Sequence, residues 1–154
     1  MKLDSNKILL VGSSGGHLLQ LLRITPALEG LEKVWVCFDK PDAKYFLSNE
    51  RKYWCYHPTT RNVVNLIKNT LQAINVLSRE RPAIIISSGA GVAIPYAWIG
   101  YLMGAKFVFI EAFNRINSRS VTGRLVYPVA DLFCVQWEKM LALYPKAKYI
   151  GRLP

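Results

Sequence analysis

The sequence predicts an α/β domain: a doubly wound, mostly parallel sheet with helices on both faces. Three observations predict it. Short, continuously apolar runs recur along the chain, as strands buried on both faces require. Segments with helical spacing separate them. Two of the strand-to-helix junctions are glycine loops. Alternation at this pitch builds βαβ units. In such sheets ligands gather at the carboxyl ends of the strands.

Ile8-Leu9-Leu10-Val11 is the first run and ends at Gly12. A helix is expected from His17 to about Glu29, with leucines at 18, 19, 21, 22 and 28. Val34–Phe38 is the second strand, and Pro41 fits the first turn of a short helix through Leu47. Tyr53–Tyr56 is the third strand. Arg61–Arg81 is the longest expected helix. Its residues Val63, Ile67, Leu71, Ile74 and Leu77 recur at three- and four-residue intervals, the stripe that an amphipathic helix turns toward a core, with Asn65, Lys68, Asn69, Gln72 and Arg79 off it. Pro82 closes this helix. Ala83–Ile86 is the fourth strand, followed by a helix over Val92–Met103. Lys106–Ile110 is the fifth strand, with a helix near Thr122–Val126 after it. Leu132–Val135, a helix over Glu138–Leu143 and a short strand at Lys148–Ile150 complete the set.

The 154 residues fit one domain, taken as 1–154. A chain of this size buries about 70% of its unfolded surface, so its core needs no covalent or metal staple. An apolar share of 51% argues against disorder. Twenty Lys and Arg against ten Asp and Glu leave a net charge of +10, which favours anionic partners: nucleic acid, anionic lipid headgroups or phosphorylated substrates. No nucleic-acid reader motif is present, so nucleic acid is not an expected partner. Cys37, Cys55 and Cys134 lack any CxxC or Cys/His spacing and read as buried, reduced thiols of a cytosolic protein. No signal-peptide core precedes the first strand, and no apolar run of about 20 residues supports a spanning helix. Four tryptophans and a 12% aromatic share, with Trp98 and Tyr101 flanking an apolar helix, suit either an ordinary core or a membrane interface.

Three loops can carry chemistry. Gly12-Ser13-Ser14-Gly15-Gly16-His17 turns the first strand into a helix, whose N-terminus offers free N–H groups and the positive end of a dipole. It lacks the third glycine of a dinucleotide fingerprint and the Lys-Ser/Thr of a phosphate-hydrolase loop. It is either a phosphate cradle or a tight turn with an incidental His17. Ser87-Ser88-Gly89-Ala90-Gly91 repeats the arrangement after the fourth strand. Together the two loops can hold a pyrophosphate. Glu111 follows the fifth strand at the same edge, where a carboxylate needs a partner or a task. Arg115, Arg119 and Arg124 follow it and suit phosphates or a solvated loop.

These motifs, in order, resemble a family. Gly12–His17, Ile86–Pro95, Phe109–Arg115, Ser120–Arg124, Asp131–Trp137 and Tyr144–Gly151 look like the oligosaccharide-biosynthesis family that includes the membrane-recruiting subunit of the eukaryotic dolichol-linked N-acetylglucosaminyltransferase. Bacterial capsule and exopolysaccharide proteins of the PssD, EpsE and CpsF type belong to it. The resemblance covers nearly the whole chain and implies a Rossmann-like domain equivalent to the N-terminal, acceptor half of a GT-B glycosyltransferase such as MurG.

That resemblance implies transfer of a sugar from a UDP-sugar to a polyprenyl-pyrophosphate-linked saccharide, at a cleft shared with a donor-binding partner subunit. It implies His17 as the base or acceptor-orienting group and Glu111 as the second candidate. Ser13, Ser14, Gly15, Gly16, Ser88, Gly89, Gly91, Asn114 and Arg115 are the expected acceptor and phosphate contacts. No DxD pair is present, and neither a metal nor another cofactor is expected. The eukaryotic member carries an N-terminal anchor, whereas this chain begins at its first strand. The expectation is therefore peripheral attachment to the cytoplasmic face of a membrane. The rival reading is a non-catalytic scaffold that recruits a complete transferase.

Overall fold

The structure, a computed structural model, describes residues 2–153. The apolar runs become strands β1 (Asp4–Val11), β2 (Glu32–Phe38), β3 (Arg51–Cys55), β4 (Pro82–Ser87), β5 (Lys106–Ile110), β6 (Leu132–Val135) and β7 (Lys148–Tyr149). They form one sheet in the order β3-β2-β1-β4-β5-β6-β7, and every neighbouring pair is parallel. The α-helices are α1 (Gly16–Ile24), α2 (Pro41–Phe46), α3 (Val63–Glu80), α4 (Ala93–Leu102) and α5 (Val121–Val126).

Strand residues alternate between the two faces. Leu9, Val11, Val34 and Val36 join Ala73, Val76 and Leu77 of α3 and Tyr96 and Ala97 of α4 in one buried cluster. Ile8, Leu10, Trp35 and Cys37 join Leu18 and Leu21 of α1 and Ala43 of α2 in the other. This is the doubly wound layering the sequence predicts. The chain winds from β1 to β3 toward one edge, and α3 then returns it to β4 on the far side of β1. The strand order reverses between β1 and β4, which makes that gap the switch point where such sheets bind ligands.

Several boundaries differ from the sequence expectation. The helix expected to run to Glu29 stops at Ile24, and Thr25–Leu28 is a 3-10 segment. Pro26 has no N–H to continue the α-helical ladder. The long helix starts at Val63 because Asn62 caps it, its side chain accepting the Asn65 N–H at 2.9 Å. Glu138–Ala142 is 3-10 rather than α-helical. The three cysteines are buried and free, and burial pushes the Cys37 thiol up to about 12.

The largest correction concerns α3. Its core face consists of Asn69, Ala73, Val76, Leu77 and Glu80. Four of the five stripe residues face outward: Val63, Ile67, Leu71 and Ile74 are 47–68% exposed, and Leu77 alone is buried. Polar anchors choose the inward face. Asn69 exchanges two 2.9 Å hydrogen bonds with the Tyr56 backbone, beside the exit of β3. Glu80 takes Lys7 Nζ at 3.2 Å and Arg51 at 2.7 Å, and it also accepts from Tyr53. A buried carboxylate and amide held this way cannot rotate to solvent without stranding their partners.

Candidate functional site at the sheet switch point

The loops after β1, β4 and β5 meet over the switch point. They line a cleft of about 420 Å³ with Ser13, His17, Gly89, Gly91, Glu111, Asn114 and Arg115, joined by Thr59 and Thr60 from the loop before α3. Seven residues singled out in the sequence are thus brought together. Gly16 lines an adjoining hollow with His17, Gln20, Phe113 and Asn114. Ser14 and Gly15 lie outside the lining of both.

His17 is fixed by two reciprocal contacts with the second loop. Its Nδ1 lies 2.7 Å from the Ser88 carbonyl oxygen, and the Ser88 hydroxyl donates to the His17 carbonyl at 2.8 Å. A carbonyl only accepts, so Nδ1 carries the proton and Nε2 is left with the free lone pair. Burial lowers the imidazole pKa below its ordinary value, against opposing pulls from the Ser88 bond and the Glu111 charge. The neutral, proton-accepting form therefore prevails near pH 7. Ser88 is fully buried and holds the histidine rather than lining the cleft.

Gly89 has φ +123°, and a Cβ there would lie 2.7 Å from His17 Cε1. Two requirements thus fall on one residue: a backbone conformation rare for L side chains and room for the imidazole. Gly89→Ala is expected to displace the ring at a strain of roughly 1–3 kcal/mol. Its signature is a shift of the His17 imidazole NMR resonances toward those of a solvated histidine, with the core resonances unmoved.

The backbone donors of the cradle are partly taken. Gly15 N–H donates to the Asp42 carboxylate at 2.7 Å, and Gly89 N–H donates to Ser87 Oγ at 3.1 Å. The arginines of the third loop are unused. Among the described residues no carboxylate pairs with Arg115, Arg119 or Arg124. Arg115 reaches the cleft, while Arg119 and Arg124 are exposed beside it. A polyanion entering here meets uncompensated guanidinium groups, whose forked donors match phosphate.

Glu111 is 1% exposed, and its carboxylate is surrounded by donors from Ala112, Ser120 and Tyr144. Sequence reasoning missed Tyr144 and Asp42. Asp42 lies in no motif, and Tyr144 only opens the Tyr144–Gly151 segment, where nothing marks it as a carboxylate's partner; each arrives through a contact of 27 or more positions along the chain. Among the described residues no group of three metal-ligating side chains is found.

The family model described as "Oligosaccharide biosynthesis protein Alg14 like" matches residues 45–153. The chain is 29% identical to the UDP-N-acetylglucosamine transferase subunit ALG14 of Candida albicans, across 91% of this chain and 74% of that protein. It is 25% identical to the Homo sapiens protein of the same name, across 97% and 84%. Among solved structures, Acinetobacter baumannii MurG superposes with a TM-score of 0.76 at 17% identity, over 95% of this chain and 45% of MurG. A UDP-N-acetylglucosamine 2-epimerase from Rickettsia bellii gives 0.74 at 12% identity, over 97% and 46%. At these identities the superpositions establish the fold. The chain spans just under half the length of both structures.

Proposed function

The chain belongs to the Alg14-like family of oligosaccharide biosynthesis proteins, and on that premise we propose that it is the acceptor-binding subunit of a two-component, UDP-sugar-dependent glycosyltransferase. The acceptor is a polyprenyl-pyrophosphate-linked saccharide of capsule, exopolysaccharide or lipid-linked oligosaccharide synthesis. The donor sugar is N-acetylglucosamine, as in the name of the relatives, and their designation as a subunit supports a donor-binding partner chain.

One observation carries the reading. A histidine with a free Nε2 lies in the same cleft as an arginine that no protein carboxylate neutralises. That pairing suits a substrate with a hydroxyl to deprotonate and a diphosphate to hold. His17 takes the proton of the acceptor hydroxyl as it attacks the anomeric carbon, and UDP departs on the partner's side of the cleft. Arg115, with Asn114 and the Gly89–Gly91 loop, holds the acceptor's diphosphate. No step calls for a metal ligated by this chain.

The exposed face of α3 supplies the membrane contact. Val64 and Leu66 join the outward residues of its stripe, and α4, which packs beside α3, exposes Trp98, Tyr101 and Leu102. From Arg51 to Ala130 the only carboxylates are Glu80 and Glu111, and both are buried. An apolar surface set in purely basic surroundings fits an anionic leaflet. Among the described residues no helix is long and apolar enough to cross a membrane. The attachment proposed through this apolar face is peripheral, on the cytoplasmic face.

Binding to the isolated chain tests the division of labour. In equilibrium dialysis, the chain should retain a short-chain polyprenyl-diphosphate saccharide and leave UDP-N-acetylglucosamine unbound. Tight retention of the UDP-sugar, with none of the diphosphate lipid, would reverse the assignment.

A further inference from the structure

Glu111 sits at the edge of the cleft with both carboxylate oxygens engaged by protein donors, Oε2 by three of them. Its Oε1 accepts the Ala112 N–H at 3.0 Å. Its Oε2 accepts the Ser120 N–H at 3.3 Å, the Ser120 hydroxyl at 3.0 Å and the Tyr144 hydroxyl at 2.9 Å. Ala112 and Ser120 are the two ends of one loop, and that loop carries Asn114, Arg115 and Arg119. A single carboxylate therefore closes the base of the whole arginine loop. Ser120 Oγ also accepts the Gly123 N–H at 2.8 Å, so the same cluster caps α5.

The cluster is built to stay assembled. Burial and the adjacent carboxylate push the Tyr144 phenol pKa well above its ordinary value, so the phenol remains a donor across the physiological range. Tyr144 is itself 1% exposed and packs against Phe133 and Tyr127. A Cβ on Gly123 would collide with Glu111 Oε2 and lie 2.6 Å from the Tyr144 hydroxyl, so glycine alone fits there. The Gln136 amide donates to the Glu111 backbone carbonyl at 3.0 Å and ties the clamp to β6.

We propose that Glu111, held by Tyr144, is a positioning residue that clamps the 112–120 loop and so aims Arg115 at the acceptor's diphosphate. It does not receive the substrate proton. The proposal rests on the reading of the cleft as a diphosphate site. It concerns what shapes that site rather than what enters it.

The sign of a charge-removing substitution separates the clamp from simple electrostatics. Removing a negative charge beside an anion site raises affinity if charge alone acts. If the loop must be clamped, affinity falls. Inorganic pyrophosphate is titrated into the full chain carrying Glu111→Gln, Tyr144→Phe or no substitution, followed by NMR. Both variants are expected to bind about tenfold more weakly, the order that a lost hydrogen bond to a charged group costs. Tighter or unchanged binding in Glu111→Gln would overturn the clamp. Should Glu111→Gln fail to fold, Tyr144→Phe tests the clamp with the charge left in place: weaker binding is expected, and unchanged or tighter binding would overturn it.

Amide hydrogen exchange reads the loop without any ligand. Exchange across 112–120 should rise in Tyr144→Phe while that of β5 stays unchanged, and an unaltered loop would count against the proposal. Absence of pyrophosphate binding by the unsubstituted chain would sink the diphosphate reading, and loop exchange would still decide the clamp. In the assembled transferase, Glu111→Gln should raise the acceptor KM and leave the acid limb of the kcat profile in place. A collapse of kcat with that limb abolished would make Glu111 the base.

Discussion

Replacing His17 by alanine is expected to lower kcat of the assembled transferase by about 10²–10⁴-fold, the range that a lost general base accounts for. The acceptor KM should change little, because the proposed diphosphate contacts are Arg115 and the 112–120 loop rather than the imidazole. The pH dependence carries the sign. Only neutral His17 accepts a proton, and burial holds its pKa below the ordinary imidazole value. Turnover of the unsubstituted enzyme should therefore be on its plateau at pH 7 and fall only at pH below about 6.5. The same shift acts on folding. His17's contribution to stability is complete above the unfolded value and is lost as pH falls toward the lowered folded one. His17→Ala should erase the acid limb along with the rate. A variant that kept both would remove His17 from the chemistry.

The second large effect concerns the outward face of α3. Ile67 and Leu71 are 56% and 63% exposed, so glutamate at both positions perturbs no packed core. Each apolar side chain buried in a lipid interface contributes about 1.5 kcal/mol or more, so losing two should weaken adsorption by roughly a hundredfold or more. The added negative charges increase the loss on an anionic surface. Sedimentation with vesicles containing phosphatidylglycerol measures this, with the circular dichroism of the variant matching the unsubstituted chain. Equal sedimentation of the two proteins would mean that this face meets something other than lipid.

The positions of the loops were legible because strand order and glycine punctuation survive in one dimension. Val11-Gly12 and Ser87–Gly89 end apolar runs, and in a parallel sheet every such end lies at the same edge. That logic brings His17, Gly89, Glu111 and Arg115 together without any knowledge of packing. The face of α3 was illegible for a physical reason. The helix carries one stripe from Val63 through Ile67, Leu71 and Ile74, and a second from Asn69 through Ala73, Val76 and Leu77. Hydropathy ranks the first higher. The tie is broken by the bonds of Asn69 to Tyr56 and of Glu80 to Lys7 and Arg51, which depend on tertiary contacts. A rule that apolar residues face inward also presumes water outside.

The parts played by Glu111 and Ser88 were half legible. Their location at the ligand edge followed from their place after a strand. Their task followed only from partners: Tyr144 for the first, the His17 carbonyl for the second. Tyr144 follows the short helix expected over Glu138–Leu143 and opens the Tyr144–Gly151 motif, with no local sign of its partner. Pairing it with a carboxylate 33 positions earlier needs the sheet order that sets β6 beside β5.

Sugar transfer tests whether the catalytic site is divided between two chains, as proposed. Labelled UDP-N-acetylglucosamine and a polyprenyl-diphosphate saccharide are supplied to this chain alone, to a donor-binding partner alone, and to both together. Product is expected only from the combination, with His17→Ala silencing it. Full transfer by the partner alone would make this chain a recruiting scaffold, and full transfer by this chain alone would mean that it carries its own donor site; either result would rule out a divided site.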